Sequence, residues 1–316
     1  TGDFYYKRTQ DLLINVDLPR STGFTSGIQN LGEVENMGWE LSIRSYNIQK
    51  ENFSWNTQFN ISANRNKVLD IGGEDQVIFA GEIPESGFSV IVQEGLPLGT
   101  FYGFRSLGVS PENGDIVFED IDGDGVITEN DRTIIGDANP DLMLGLSNTF
   151  TFGSFSLDIL LQSSIGNDVF NATRIETEGI FSVKNGSAAT LDRWQNVGDI
   201  TRMPRAVFGD PNDNSRISDR FIEDGSFLRI RNITLSYNLP VSILQKVKIQ
   251  GLSIYASGQN LWTLSGYSGY DPEVNRDGGN AISQGIDYGT YPQARIVTGG
   301  IKLDFNLLNG DATIKK

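Results

Sequence analysis

Residues 53–63 read FSWNTQFNISA, and this stretch decides the fold because apolar and polar side chains alternate along it. One parity carries Phe53, Trp55, Thr57, Phe59, Ile61 and Ala63, and the other carries Ser54, Asn56, Gln58, Asn60 and Ser62. Successive side chains of a β-strand point to opposite faces of a sheet, so this period of two predicts a strand. We expect its apolar face to be shielded from water and its polar face to meet water or other polar groups.

The same alternation recurs along the chain in runs of about ten residues. It predicts an eighth strand beginning near Phe4 and seven further strands: 37–47, 53–65, 142–152, 155–165, 226–238, 247–261 and 294–305. The pattern shifts by one residue within 227–237 and within 247–257, and a β-bulge in each strand explains such a shift. The 36 glycines and 18 phenylalanines suit strands joined by turns, and the chain is predicted to be all-β.

The connections between these strands alternate between short and long. The links around IQKEN (48–52) and Gly153-Ser154 are tight. The long links are 12–36, 66–141, 166–225 and 262–293. Outer-membrane barrels place short turns on the periplasmic side and long loops outside, whereas a soluble sandwich has no reason to segregate them. A transmembrane antiparallel β-barrel of the bacterial outer membrane is therefore predicted, with the four long links extracellular.

Aromatic residues cluster beside the tight turns, as in the aromatic girdle of a membrane barrel. They are Tyr46, Phe53, Trp55, Phe150, Phe152, Phe155 and Tyr237. In this arrangement the apolar face meets the lipid bilayer and lipopolysaccharide, and the polar face lines the lumen. A soluble β core is also rich in aromatic residues, but its rings are not concentrated at strand ends.

Composition excludes several classes of function. The chain has no cysteine and no histidine, which excludes disulfides, thiolate or imidazole metal sites and a Ser-His-Asp triad. Its 40 acidic and 25 basic residues give a net charge of −15, so a nucleic-acid partner is not expected. A bound metal must therefore be a hard cation held by oxygen atoms.

One acidic stretch has the spacing of a calcium loop. DIDGDGVITEND (120–131) places the candidate ligands Asp120, Asp122, Asp124, the Val126 carbonyl, Thr128 and Asp131 at positions 1, 3, 5, 7, 9 and 12. Gly125 occupies position 6, where a sharp turn is needed, and Ile127 is expected to anchor the loop on a core. Calcium is the expected ion, with magnesium as the alternative. The competing interpretations are a solvated Asp/Gly turn and, less favoured, an acid-catalytic site.

A second set of residues on the long-loop side is a candidate ligand-binding site. It consists of Tyr267, Tyr270, Asp271, Glu273 and Arg205. Tyrosine rings and carboxylates hold sugars by stacking and hydrogen bonding, but polar loops with surface aromatics have the same composition. Arg205 either points into the lumen or pairs with an acidic residue, and the sequence leaves both alternatives open.

Ten stretches together resemble the C-terminal part of the SusC/RagA family of TonB-linked outer-membrane proteins. They are YKRTQDLL (6–13), STGFTSGIQNLGEVENMGWEL (21–41), FSWNTQFNISANRNKVL (53–69), GLPLGTFYGF (95–104), DIDGDGVITENDRTIIGDANPD (120–141), QSSIGNDVFN (162–171), DGSFLRIRNITLSYNLP (224–240), SGQNLW (257–262), YDPEV (270–274) and TYPQARIVTGGIKLDF (290–305). The resemblance implies a barrel of about 22 strands with a plugged lumen, of which residues 1–305 supply the last seven or eight. The family normally stops at the aromatic residue matching Phe305, whereas here a tail, 306–316, follows.

The resemblance also implies a function and partners. Such barrels import oligosaccharides or peptides with energy from TonB, which engages an upstream region, and a SusD-like lipoprotein closes the barrel mouth. The chain is thus expected to perform no enzymatic reaction. Two alternatives are a scaffold barrel in a larger envelope complex and a soluble secreted domain that binds carbohydrate with calcium.

Overall fold

The computed structural model describes residues 1–17, 26–72, 77–181, 184–244 and 250–304. In chain order, the strands of these residues are β1 (Gly2–Asp17), β2 (Ser26–Lys50), β3 (Phe53–Asp70), β4 (Ile78–Ile83), β5 (Gly87–Val92), β6 (Thr100–Phe104), β7 (Ser106–Val109), β8 (Ile116–Phe118), β9 (Arg132–Asp137), β10 (Leu142–Phe152), β11 (Phe155–Ile165), β12 (Asp168–Asn171), β13 (Ile222–Asp224), β14 (Phe227–Asn238), β15 (Gly251–Ser265), β16 (Ile286–Asp287) and β17 (Ile296–Asp304). The α-helices are α1 (Thr173–Glu178) and α2 (Val241–Leu244). In the described ranges, no helix is both long enough and apolar enough to span a membrane.

Eight strands form one antiparallel sheet in the order β1-β2-β3-β10-β11-β14-β15-β17. Each strand therefore pairs with the next long strand along the chain, as in an up-and-down barrel wall. The outer edges of β1 and β17 have no partner strand among the residues that the structure describes. The sheet is consequently open, as expected for one portion of a larger barrel.

The predicted strands are present, and four extend beyond their predicted bounds, including β15, which continues to Ser265. β1 continues to Asp17, β2 begins at Ser26 and β3 continues to Asp70. Much of the predicted loop 12–36 is therefore strand, because β1 and β2 keep pairing from Leu13↔Asn30 to Asp17↔Ser26 and so satisfy their backbone groups. Residues 247–249 of a predicted strand, Phe305 and the tail 306–316 lie outside the described ranges.

The tight turns lie together at one end of the sheet. The Gly153 N–H donates to the Asn52 carbonyl at 3.0 Å, and the Asn238 N–H donates to the Ser154 carbonyl at 2.8 Å. Gly153 has a φ of 55°, a conformation that glycine adopts without strain in a two-residue turn. The two predicted tight turns are therefore present, and the long connections after β3, β11 and β15 leave from the opposite end of the sheet.

The bulge predicted for 227–237 is confirmed. Leu160 pairs with Asn232 and Leu161 pairs with Ile230, so Arg231 is the extra residue of β14. The prediction of a bulge within 247–257 is wrong for its described part, because residues 251–257 pair regularly with β17. The shift in β15 lies instead near Asn260, whose φ of 52° falls in a left-handed region that asparagine tolerates.

The sheet has one continuous apolar face. Cross-strand register aligns Trp55 with Phe150, Phe150 with Leu157, and Leu157 with Leu235. None of these residues belongs to a buried cluster, and other members of the same face, such as Ile43, are about half exposed in the chain alone. The apolar face therefore has no protein cover among the described residues, as required of a surface that meets lipid.

Most of the buried core lies in the long loops, and the sheet adds Val34 of β2 and Val68 of β3 to one smaller cluster. The described residues of 71–141, 166–226 and 266–295, together called the loop body, contain the sheets β4-β5-β6-β9, β7-β8 and β13-β12-β16. Their largest cluster consists of Ile83, Val90, Phe101, Ala138, Phe170, Ala172, Ile175, Ile217, Phe221 and Ile286. All three loops contribute to it, so the loops fold as one unit.

The lipid-facing assignment predicts opposite tolerance to charge at two adjacent leucines. Leu161 lies on the apolar face about 15 Å from the tight turn, and Leu160 faces the lumen opposite Ser147. Leu161→Arg is expected to cost about 2–4 kcal/mol of barrel stability, because the guanidinium would enter hydrocarbon. The matched control Leu160→Arg should cost far less, as measured by urea titration of the full-length protein in lipid vesicles. Equal losses for both variants would contradict the assignment.

Candidate metal loop and ligand-facing loops

The metal loop, residues 120–131, connects β8 to β9 within the first long loop. Ile127 packs against the buried cluster of Phe104, Ile116 and Phe118, as the sequence predicts for the anchoring position. A short 3-10 helix, Glu129–Asp131, closes the loop, and Thr128 caps it. The loop is thus fixed at both ends to folded structure while its tip faces solvent.

Three of the predicted ligands converge at this tip. Asp120 accepts hydrogen bonds from the Gly123 and Gly125 N–H groups at 2.7 and 2.8 Å. Asp124 accepts from the Val126 N–H at 2.7 Å. One carboxylate oxygen from each of Asp120, Asp122 and Asp124 lies within 4.8 Å of the others, and all three residues are exposed. Such a set of oxygens suits a hard divalent cation.

Asp131 has a different role in this structure. It is buried and accepts the N–H groups of Thr128 and Ile121, each at 2.7 Å. These backbone hydrogen bonds, that of Thr128 first, lower the pKa of Asp131 below its ordinary value because they favour the charged carboxylate. The predicted ligand set therefore divides: Asp131 and Thr128 close the loop as a capping box, and three carboxylates converge at its tip.

A segment of the second long loop braces the strand that leads into the metal loop. Arg205 donates to both carboxylate oxygens of Asp115 at 2.7 and 2.9 Å, so it pairs with an acidic residue. The Ile116 N–H donates to the Asn214 side chain at 2.7 Å. The Arg216 guanidinium lies 4.8 Å from the ring centre of Phe118. Folding of the metal loop is consequently linked to the second loop.

The tyrosine and acidic candidates of the third long loop are mostly engaged internally. Tyr267 is buried, and its hydroxyl donates to Asp287 at 2.5 Å. Asp271 pairs with Arg229 of β14, and Glu273 accepts from Arg229 at 2.8 Å. Tyr270 alone of this set is largely exposed, at 85% of its surface. The structure therefore places four of the five candidates in contacts that hold the loops and leaves Tyr270 accessible.

Arg229 is a buried arginine of the barrel wall that pairs with two of these candidates, and the sequence did not single it out as a site residue. Its side chain is 1% exposed and also donates to Thr263 at 3.0 Å. The neighbouring Arg231 reaches Glu273 at 3.2 Å but is 36% exposed. Asp271 and Glu273 follow Arg229 by more than 40 residues, so no local sequence pattern signals the pairing.

A second buried charge cluster lies inside the loop body. Arg174 donates to Glu178 at 3.0 Å and to Glu223 at 3.1 Å. Arg220 lies 3.5 Å from Glu178, and burial lowers the pKa of Arg220 to about 10 although Glu178 opposes the shift. The sequence indicates only one contact of this cluster. Arg174 and Glu178 in RIETE are four residues apart, and side chains at that spacing meet on a helix.

The chain is similar in sequence to TonB-dependent receptors. It is 37% identical to TonB-dependent receptor P3 of Formosa agariphila, over 96% of this chain and 32% of the relative. It is 31% identical to TonB-dependent receptor SusC of Bacteroides thetaiotaomicron, over 96% of this chain and 30% of the relative. The chain thus spans about a third of the length of these curated relatives. A scan against protein-family models gives no match.

Solved structures of a peptide transporter share the fold. The RagAB peptide transporter matches with a TM-score of 0.79 at 25% identity, over 96% of this chain and 33% of that chain. The RagAB peptide importer in its closed-closed state matches with a TM-score of 0.80 over the same shares. These relatives are named receptors and transporters, which points to a non-enzymatic role and agrees with the predicted C-terminal barrel portion.

Removing the buried wall arginine should release the third loop. Arg229→Gln would leave Asp271 buried without its partner, and breaking a buried ion pair in this way costs about 3–5 kcal/mol. We expect faster hydrogen exchange across 266–288 in the full-length receptor. Arg231→Gln is the matched control, because its partly exposed ion pair should contribute less. Equal exchange in both variants would show that Arg229 does not hold the loop.

Proposed function

The chain is a barrel portion of a SusC/RagA-type TonB-dependent receptor of the bacterial outer membrane, and we propose that the whole receptor imports a nutrient. The expected cargo is an oligosaccharide or a peptide. The observation that carries the proposal is the pairing of a lipid-facing barrel wall with an ordered loop body at one end of it. A barrel that only filled the membrane would not need a folded structure at its mouth.

The polar face of the wall supports a role in passage of a hydrophilic cargo. The Thr149 hydroxyl donates to the Asp158 carboxylate at 2.6 Å, and the hydroxyl oxygens of Thr234 and Ser257 are 2.9 Å apart. The inner surface is thus covered by small hydrogen-bonding groups. We propose that this face lines the lumen, that the loop body is extracellular, and that the tight turns are periplasmic.

A lid partner is the second part of the proposal. We expect a SusD-like surface lipoprotein to dock on the loop body, and TonB to act through a part of the receptor outside this chain. Several large apolar side chains of the loop body are more than three quarters exposed: Leu191, Val197, Ile200, Phe208, Tyr270 and Tyr291. Apolar surface of this kind is typical of protein interfaces.

Deletion of the receptor gene tests the proposed import. The deletion strain should lose growth on one class of oligosaccharide or peptide as sole nutrient and keep growth on simple sugars and amino acids. The full-length gene should restore it, and affinity purification of the receptor should recover one surface lipoprotein. Normal growth on every cargo combined with loss of an envelope complex would instead favour the scaffold role.

We further propose that the metal loop binds calcium and acts as a structural staple. The convergence of Asp120, Asp122 and Asp124 supports this, because three carboxylates so close together repel one another without a cation. Since Arg216 and Asn214 contact the strand that leads into the metal loop, the ion would also stabilise the second long loop. Magnesium is the alternative ion, which prefers a smaller and more regular oxygen shell.

Calcium titration tests whether the metal loop binds calcium. Asp122→Asn should weaken calcium binding by about ten-fold or more, since the affinity of such loops follows the number of ligand charges. Glu129→Gln is the matched control, because Glu129 lies in the same loop but is outside the converging set. Isothermal titration of the full-length receptor, repeated with magnesium, measures both. Equal affinity of the two variants, or no calcium binding by the unaltered receptor, would overturn the proposal.

A further inference from the structure

The apolar face contains a groove near the long-loop end of the sheet. The groove has a volume of about 560 Å³ and is bordered by β1, β2, β3 and the start of β10. Its lining includes Phe4, Met37, Trp39, Ala63, Arg65 and Leu142. Phe4 pairs with Trp39, and Trp39 pairs with Ala63, so a single methyl group follows two large rings in one cross-strand row. The small side chain of Ala63 therefore creates the depression.

The depth of this groove places its upper rim at a membrane surface. Ala63 follows the tight-turn residue Phe53 by ten residues along β3. At about 3.3 Å per residue and a tilt of about 40°, this spacing spans roughly 25 Å, the height of the apolar band of a barrel. Arg65 and Lys67 continue the same face beyond Ala63, at the level of lipid headgroups.

Arg65 and Lys67 are free to bind a ligand. Both are exposed, and neither makes a hydrogen bond or ion pair with another residue in the described part of the chain. Three other charged groups of this face have partners: Arg8 pairs with Glu33, and Glu35 accepts from the Tyr6 hydroxyl at 3.0 Å. Two carboxylates lie nearby, Glu35 opposite Lys67 in register and Asp141 on the rim of the groove.

We propose that this groove is a binding site for an anionic lipid of the leaflet on the long-loop side. One acyl chain occupies the groove over Ala63, and the phosphate contacts Arg65 and Lys67. An arginine offers paired donors that match phosphate oxygens, and basic residues at a membrane surface attract anionic headgroups. The site depends only on the lipid-facing wall, so it stands apart from the cargo and from the calcium loop.

Lipid retention by the full-length receptor tests the headgroup contact. Native mass spectrometry of the purified receptor, offered phosphatidylglycerol and phosphatidylcholine with identical chains, should show preferential retention of phosphatidylglycerol. Arg65→Gln and Lys67→Gln should each reduce this preference by about five-fold. Lys302→Gln is the control, because Lys302 is an exposed cation near the tight turns and opposite Ser253 in register. Equal retention of both lipids, or an undiminished preference in Arg65→Gln with Lys67→Gln, would overturn the proposal.

Two further variants test the groove and the sign of the electrostatics. Ala63→Phe fills the depression and should reduce retention of both lipids while preserving their ratio. Glu35→Gln removes a carboxylate opposite Lys67 and should raise the preference for phosphatidylglycerol. Heat-modifiable migration on gels confirms that each variant is folded. Unchanged retention in Ala63→Phe, or a lower preference in Glu35→Gln, would contradict this site.

Discussion

A backbone N–H or carbonyl inside hydrocarbon has no water to bind, so every such group in the membrane must find a partner within the protein. The eight-stranded sheet meets this constraint by pairing each long strand with the next along the chain. The faces of the sheet follow from the same constraint, because side chains that cannot enter water must point outward and polar ones inward. The loop body is attached to this wall at the end opposite the tight turns.

The wall could be predicted almost completely from the sequence because its rules are local. Period-two alternation locates each strand, and the parity of connection lengths distinguishes the two ends of the sheet. The prediction failed where backbone pairing, and not the hydrophobic pattern, sets the length of a strand. An example is the continuation of β1 and β2 through most of residues 12–36. The bulge near Asn260 was also misplaced, because one residue with a positive φ leaves little trace in the hydrophobic pattern.

The loop body could not be predicted because its core is assembled over long distances. Phe101, Phe170 and Ile286 come from three different loops and meet in one cluster. Each contributing strand is only a few residues long, too short for a clear period. The metal loop is the exception, since its candidate ligands follow one another within twelve residues and their spacing alone predicts a cation site. Even there, the capping role of Asp131 became visible only with the backbone contacts of Ile121 and Thr128.

The joint between wall and loop body has consequences for how the mouth of the barrel moves. Arg229 belongs to the wall, whereas Asp271 and Glu273 belong to the third loop. An apolar contact can slide with a gradual loss of energy, but a buried ion pair is strongly destabilised once one partner leaves. The third loop should therefore be either docked or fully released, with few intermediate positions. The exposed Tyr270 adjoins this joint, so a ligand or lid that contacts it in only one position would shift the balance between the two states.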